Sequence, residues 1–394
     1  MAAVLDGIRV LDFGRYIAGP YCATLLGDLG AEVIRIEKVR GSEDRYLLPV
    51  AETGEGAMFL LMNRNKLGMT LNPMKEEGRE IVRQLVATAD VVVANLPYES
   101  LQAMGLDHDS LKAVKEDIIL TTVSAFGSEG PYAKRVGFDG IAQVMCGSVY
   151  LGGYPGQPVK SEAPWVDFGT ASLSAFATLA ALIERGKTGR GQMVEGALLR
   201  TALTFHNSML VEQALVQKDR QAIGNRGYNG GPSDIFQTQD GWIIVQTIGA
   251  PLFKRWCDLM GEDHWLSDPR FKDDDARGDN GEVISERMGQ WTAERTTAEA
   301  LAALEEARIP AGPLYTPQQA LEDPHIQATG FLQPVEFPGT SAPAPLAQTP
   351  VKLSETPGEI RRRAPVLGEH TDQILHELGY TDGDIAALRE SRVV

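Results

Sequence analysis

The chain has 394 residues, 43% of them hydrophobic and 23% charged, with a formal net charge of −16. That length exceeds one ordinary core and suits two domains of about 150 residues each; the composition is that of a globular protein, with no apolar run of the ~18 residues that span a bilayer. The acidic balance argues against a nucleic-acid partner, which needs a basic surface, while an anionic small ligand needs only a few local cations.

Cys22, Cys146 and Cys257 are odd in number and far apart, so each reads as a small buried apolar residue and no disulfide framework is expected. The six histidines show no ligand spacing, and no metal is expected. The opening segment MAAVLDGIRVLDFG lacks the basic-then-apolar layout of a signal peptide. The expected compartment is therefore the cytoplasm, with no membrane partner.

Taken in chain order, IRVLDFG (8–14) predicts a strand. Ala23, Leu25, Leu26 and Leu29 follow at helical spacing, with Pro20 in the first turn and Gly30 as a stop. AEVIRIEKV (31–39) predicts a second strand, and strand, helix, strand is a βαβ unit that implies a parallel sheet. A helix over 76–89 and strands over 90–96 and 117–126 repeat the pattern. The first half thus reads as a doubly wound α/β sheet, with ligands expected beyond the C-terminal strand ends. A helix of small residues runs from Asp167 to Arg185, then a Gly-punctuated turn leads into a further strand-like or helical segment. Residues 223–234 are turn-rich, and 235–247 predict a hairpin turning at Gly241. Helices follow around 251–260, 284–295 and 297–307, making about 225–325 a candidate second domain. The Pro/Ala-rich stretch 338–350 reads as an exposed connection, and the tail returns to helix over 368–380.

Three places attract chemical attention. Gly14 and Gly19 do not form a GxGxxG fingerprint, and Glu37 ends the second strand where a nicotinamide enzyme would place its ribose-binding acid. Lys38, Arg40 and Arg45 follow, and cations there suit the adenosine phosphates of a nucleotide such as coenzyme A, or else form a solvated basic loop. Asp167 stands at the start of its helix either as an N-cap, stabilising it by about 1 kcal/mol, or as a carboxylate nucleophile. A free carboxylate, with a pKa of about 3.9, would be ionised at neutral pH and need no activating base; Gly169 would let a bulky thioester approach. The glycine-rich run Gly227 to Gly231 is either a linker or a mobile flap.

The blocks VLDFGRYIAGPYCATLLGDLGAEVIRIEKVRGSEDR (10–45), NRNKLGMTLN (63–72), ADVVVANLPYESLQAMGL (89–106), SAFGSEGPYAKRVGFDGIAQ (124–143), IPAGPLYTPQQALEDPHIQATGF (309–331) and APVLGEHTDQILHELGY (364–380) resemble, in order, the class III CoA-transferases of the CaiB/BaiF family. The resemblance implies an interlocked homodimer whose chains each have a large Rossmann-like domain built from both termini and a smaller α+β domain. Here these would be 1–222 with 332–394, and 223–331 with its linkers. It implies an acyl-CoA:carboxylate CoA-transferase with Asp167 as nucleophile, an acyl-CoA donor and a carboxylic acid acceptor. Coenzyme A would be part of the substrate, with no metal. The CoA contacts carry over to Ile17, Ala18, Lys38, Leu71, Asn72, Pro73, Met74, Asn95, Leu96, Pro97, Arg135, Val136, Gly137 and Phe138. Gly230 and Gly231 resemble the family's glycine loop.

Where the formyl-CoA:oxalate branch has a His-Val-Gln run, this chain has Arg15, Tyr16 and Ile17, and it has Ala103 in place of an arginine. Oxalate is therefore not the expected acceptor. Arg15 could pair with the second carboxylate of a dicarboxylic acid, or form an ordinary salt bridge. The α-methylacyl-CoA racemase branch has a His–Asp pair where this chain has Phe138 and Asp139, and phenylalanine carries no proton. A racemase-like enzyme and a non-catalytic CoA-binding protein are the alternatives.

Overall fold

Short runs of β-branched residues become strands here because both of their faces find a core. A computed structural model describes residues 3–394. Its elements begin β1 (Arg9–Asp12), α1 (Ala18–Asp28), β2 (Glu32–Glu37), α2 (Ala57–Met62), β3 (Lys66–Thr70) and α3 (Glu76–Thr88). They continue with β4 (Val91–Ala94), α4 (Tyr98–Met104), α5 (His108–Val114), β5 (Ile119–Ser124), α6 (Asp139–Met145), α7 (Ser148–Leu151), α8 (Trp165–Thr188), β6 (Met193–Ala197) and α9 (Leu198–Phe205). The six strands form one parallel sheet in the order β3-β2-β1-β4-β5-β6. Because side chains alternate along a strand, Leu11, Ile34, Val92 and Leu120 join one core, with Ile81 and Leu85 of α3. Val10, Val33, Val91, Val93 and Ile119 join another, with Leu26 of α1 and Ala171 and Ala175 of α8. Both faces are covered, as a parallel sheet requires. The chain order reverses between β1 and β4, which opens a crevice at their C-terminal ends.

The chain divides into two compact units. The first runs up to Cys146 and takes in Ser161–Val211 and Thr329–Val394. Its tail supplies Ile374, Leu375, Ile385 and Leu388 to the core that includes Leu11. Two features depart from the sequence reading. β3, with a lysine first and a glycine third, was not expected as a strand, yet all five residues are buried. The Pro/Ala-rich stretch is more than a connection: Leu332–Val335 pairs antiparallel with Ala344–Ala347, and Leu346 joins Phe59, Leu60 and Phe337 in a small core.

The second unit comprises Gly147–Lys160 and Glu212–Ala328. It is built on a three-stranded antiparallel sheet of Ser233–Gln237, Trp242–Gln246 and Ala311–Pro313. Ile243 and Val245 point inward, against Phe253, Trp256, Ile284, Met288 and Leu304 from its helices.

The 24-residue α8 is long and apolar enough to cross a membrane by length and composition. The sequence reading found no such run. One side of α8 nevertheless packs on the sheet and α1 through Val166, Thr170, Ala171, Ser174, Ala175, Thr178 and Ala181.

Candidate active site

The crevice is built around one asparagine. Asn95, just past β4, accepts the Arg15 backbone N–H (2.6 Å) and donates to the Arg15 carbonyl (2.8 Å), tying the β4 loop to the β1 loop. Ile17 and Ala18 follow at the start of α1, where Ile17 provides no side-chain cap. Among the described residues the Ala18 and Gly19 N–H groups have no hydrogen-bond partner, and Pro20 has no N–H, so the helix start keeps two unpaired donors of the kind that suit an anionic group. Tyr16, in a left-handed backbone conformation (φ 61°), meets Phe138 edge-on at 5.6 Å between ring centroids. That contact joins the β1 loop to the segment Arg135–Phe138, where Val136 and Phe138 are exposed and Arg135 lies over the Tyr132 ring at 4.0 Å.

Beneath the loops lies a buried ionic network. Asp12 accepts from Lys66 (2.7 Å) and the Gly14 N–H (2.8 Å), and Arg35 bonds Asp44 (2.8 Å). Burial alone would raise the Asp12 carboxyl, but Lys66 and Arg35 hold it below the ordinary range. Burial pulls Lys66 down to about 8 against the attraction of Asp12. Arg45 donates to Glu37 (2.5 Å), reaches Glu55 and lies over Phe59 at 3.9 Å. The sequence reading of Arg45 as a phosphate-facing cation is therefore corrected, because its charge is spent inside the fold. Lys38 is exposed and pairs with the exposed Glu43.

Arg15 forms no salt bridge with a carboxylate among the described residues, which removes that expectation. Its Nη1 donates instead to the carbonyls of Phe13 (3.1 Å), Gly14 (2.7 Å) and Ile36 (3.4 Å). Burial, then repulsion from Arg35, brings it down to about 10. Leu71, Asn72, Pro73 and Met74 lie past β3; Leu71 is buried, the Asn72 N–H donates to Val393 O (2.7 Å), and Met74 is exposed. Leu96 is half-buried and Pro97 precedes α4.

Asp167 is the third residue of α8, and the cap reading is corrected: the helix begins after Pro164 with no side-chain cap of its own. The cap comes from Asp139, whose Oδ2 accepts the N–H groups of Val166 (2.8 Å) and Asp167 (3.0 Å). The Asp167 carboxylate itself has no hydrogen bond among the described residues. Burial first, and the Asp139 charge second, push it up to about 7, well above the ordinary carboxylate value assumed from the sequence. Around it, Tyr21 meets Phe168 edge-on at 4.9 Å and Trp165 stacks on Phe205 at 6.0 Å. Gly169 serves this packing: a Cβ there would stand 2.5 Å from the Phe205 ring, so the glycine makes room for α9. Sequence reasoning missed Tyr16 and passed over Asp139 as a bonding partner; an aspartate opening a short helix is a weak signal for capping another helix.

Gly230 and Gly231 lie in the second unit just before Ser233–Gln237. Gly230 has φ 148° and a Cβ there would come within 2.7 Å of Thr247 O, so that position requires glycine. The segment is held within its unit by Gly227 N–H to Ser233 O (2.8 Å) and by the Tyr228 hydroxyl to Gln221 O (2.8 Å).

A doubly wound sheet, an open helix start at its switch point and an uncapped carboxylate linked to it through Tyr16, Phe138 and Asp139 form the frame of an α/β enzyme. The comparisons with known proteins identify which kind. The family model of CoA-transferase family III matches residues 5–371. The chain is 32% identical to a succinyl-CoA–D-citramalate CoA-transferase of Chloroflexus aurantiacus, over 99% of this chain and 98% of that one. It is 32% identical to a succinate–glutarate CoA-transferase of Agrobacterium fabrum, over 95% of each. A CaiB/BaiF family protein from Brucella suis superimposes with a TM-score of 0.84 at 32% identity, covering 96% of this chain and 100% of that chain. The chain belongs to CoA-transferase family III. It is a CoA-transferase, an enzyme class whose substrates are CoA thioesters.

Proposed function

We propose that the chain moves CoA from an acyl-CoA to a carboxylic acid through a covalent intermediate on Asp167. The observation that carries this reading is the Asp167 carboxylate itself, held in the first turn of a long helix yet unbonded because another side chain caps that helix. An Asp167 oxygen attacks the thioester carbonyl carbon, the C–S bond breaks, and CoA thiolate leaves an aspartyl–acyl anhydride. The thiolate attacks the Asp167 carbonyl of that anhydride, giving an aspartyl-CoA thioester and the free donor acid. An acceptor carboxylate attacks this thioester, expelling thiolate, which then takes the acceptor's carbonyl and returns Asp167 as carboxylate. One thioester replaces another, so the cycle needs neither ATP nor metal.

CoA would lie over Ile17, Ala18, Lys38, the 71–74 and 95–97 loops and Arg135–Phe138, with its pyrophosphate on the open start of α1. Gly230 and Gly231 are proposed as backbone contacts to the acyl substrate. A dicarboxylic acid is the proposed acceptor. The relatives' names, with citramalate, succinate and glutarate, support it, as do the Nε and Nη2 donors of Arg15, which bond nothing among the described residues. A cytoplasmic homodimer is also proposed: Leu173, Phe176 and Ile183 on α8 and Phe205 on α9 are exposed, an apolar surface that a second copy would cover.

The test mixes succinyl-CoA with a panel of mono- and dicarboxylic acids and separates the CoA esters by chromatography. New esters of dicarboxylic acids are expected without ATP or metal, and none from Asp167→Ala. No new ester with any acid, or full activity in Asp167→Ala, contradicts the reading.

A further inference from the structure

Each amide N–H in the first turn of α8 has a partner, and none of them is the Asp167 side chain. Trp165 N–H donates to Ala163 O (2.9 Å) and Phe168 N–H to Pro164 O (3.2 Å), while Val166 and Asp167 donate to Asp139. An aspartate in a first turn ordinarily meets the positive end of its helix, with free N–H groups to stabilise its charge. Here a second carboxylate, only 7% exposed, has taken that place. Its other oxygen accepts from Gln143 Nε2, one turn on in α6, and Gln143 Oε1 accepts the Ser161 N–H (3.1 Å). Two side chains at i and i+4 of one short helix therefore hold both the approach to α8 and its first turn.

We propose that Asp139 is the positioning residue of the transfer reaction: by capping α8 from outside, it fixes the backbone of Asp167 while leaving the reacting carboxylate without a donor. The inference rests on the covalent reading of Asp167. A carboxylate bonded by helix N–H groups has its lone pairs occupied and its charge stabilised; one denied those bonds is the stronger nucleophile toward a thioester. Asp139 also sets a like charge beside it, which destabilises the resting carboxylate and is relieved when Asp167 becomes an anhydride or thioester. Other titratable side chains on the elements packed against α8 are Tyr21, Cys22 and Asp28 on α1, Glu195 on β6 and Arg200 on α9. Asp28 is bonded to Arg64, Glu195 to Ser128, and Arg200 to the Glu195 carbonyl. Asp139 is the one that acts on Asp167.

The test follows the rate at which succinyl-CoA and hydroxylamine together convert Asp167 to its hydroxamate, between pH 5 and 9, in the full-length enzyme and its Asp139 variants. With the concentration of unprotonated hydroxylamine held constant, the native rate should rise with pH about a midpoint near 7, so that at pH 6 it is about a tenth of its plateau. Asp139→Asn keeps an oxygen for the helix N–H groups but removes the charge, so its limb should move to lower pH and it should hold a larger fraction of its own plateau rate at pH 6 than the native enzyme does. Asp139→Ala removes both and should lower the plateau at least tenfold, whereas Asp139→Glu should retain the native limb. A native limb unchanged in Asp139→Asn overturns the inference, whether or not Asp139→Ala folds. No hydroxamate on Asp167 of the native enzyme at any pH would sink the covalent reading instead.

Discussion

Replacing Asp167, the proposed nucleophile, should make the protein more stable as well as inactive. In the free enzyme Asp167 is buried beside Asp139 and raised from 3.8 to about 7, so ionising it in the fold opposes folding. The folded group binds its proton more tightly than the unfolded one. Its cost is therefore absent below the unfolded value and complete once pH has risen through about 7. A rise of this size corresponds to about 4 kcal/mol at high pH, and roughly 1.5 kcal/mol of it is already present at pH 5. Asp167→Asn is similar in shape and carries no charge, so it escapes the cost. Its stability advantage should widen by about 2–3 kcal/mol between pH 5 and pH 8, which for a chain of this size is several degrees in Tm. Differential scanning calorimetry of the two proteins across that range measures the gap. A gap that does not change with pH, or a variant less stable than the native chain at pH 8, would refute the electrostatic account of this site.

Asn95→Ala removes both bonds that join the β4 loop to Arg15, each worth about 1 kcal/mol. Steady-state kinetics should show KM for the CoA ester raised roughly tenfold and kcat much less affected. Lys38→Ala should raise KM for the CoA ester at low salt and leave Tm unchanged, because its ion pair is exposed. Arg45→Ala should instead lower Tm sharply: it strands the buried Glu37, a change that costs about 3–5 kcal/mol.

The strands that form the crevice were readable because each is a compact apolar run. IRVLDFG, AEVIRIEKV and DVVVANL hold β1, β2 and β4, and their βαβ spacing predicted the parallel pairing that they make. β3 escaped because its first residue is a lysine; Lys66 can be fully buried only because Asp12, far away in sequence, neutralises it. The strand Ala344–Ala347 was hidden by Pro343 and Pro345, which a two-stranded hairpin tolerates. In the same way the sequence could mark Asp167 as an aspartate at a helix start but not say whether it caps that helix. Asp139 answers that question, through contacts made only when the chain folds. Arg45 and Lys38 look alike as basic residues after β2, yet one is buried among carboxylates and the other stands in solvent.

The central claim is that Asp167 becomes covalently bonded during transfer, and peptide mass spectrometry tests it most directly. After succinyl-CoA and hydroxylamine are mixed with the enzyme, the peptide containing Asp167 should carry a hydroxamate, and Asp167→Ala should show none. A hydroxamate on another residue, or esters exchanged with Asp167 never modified, would contradict it.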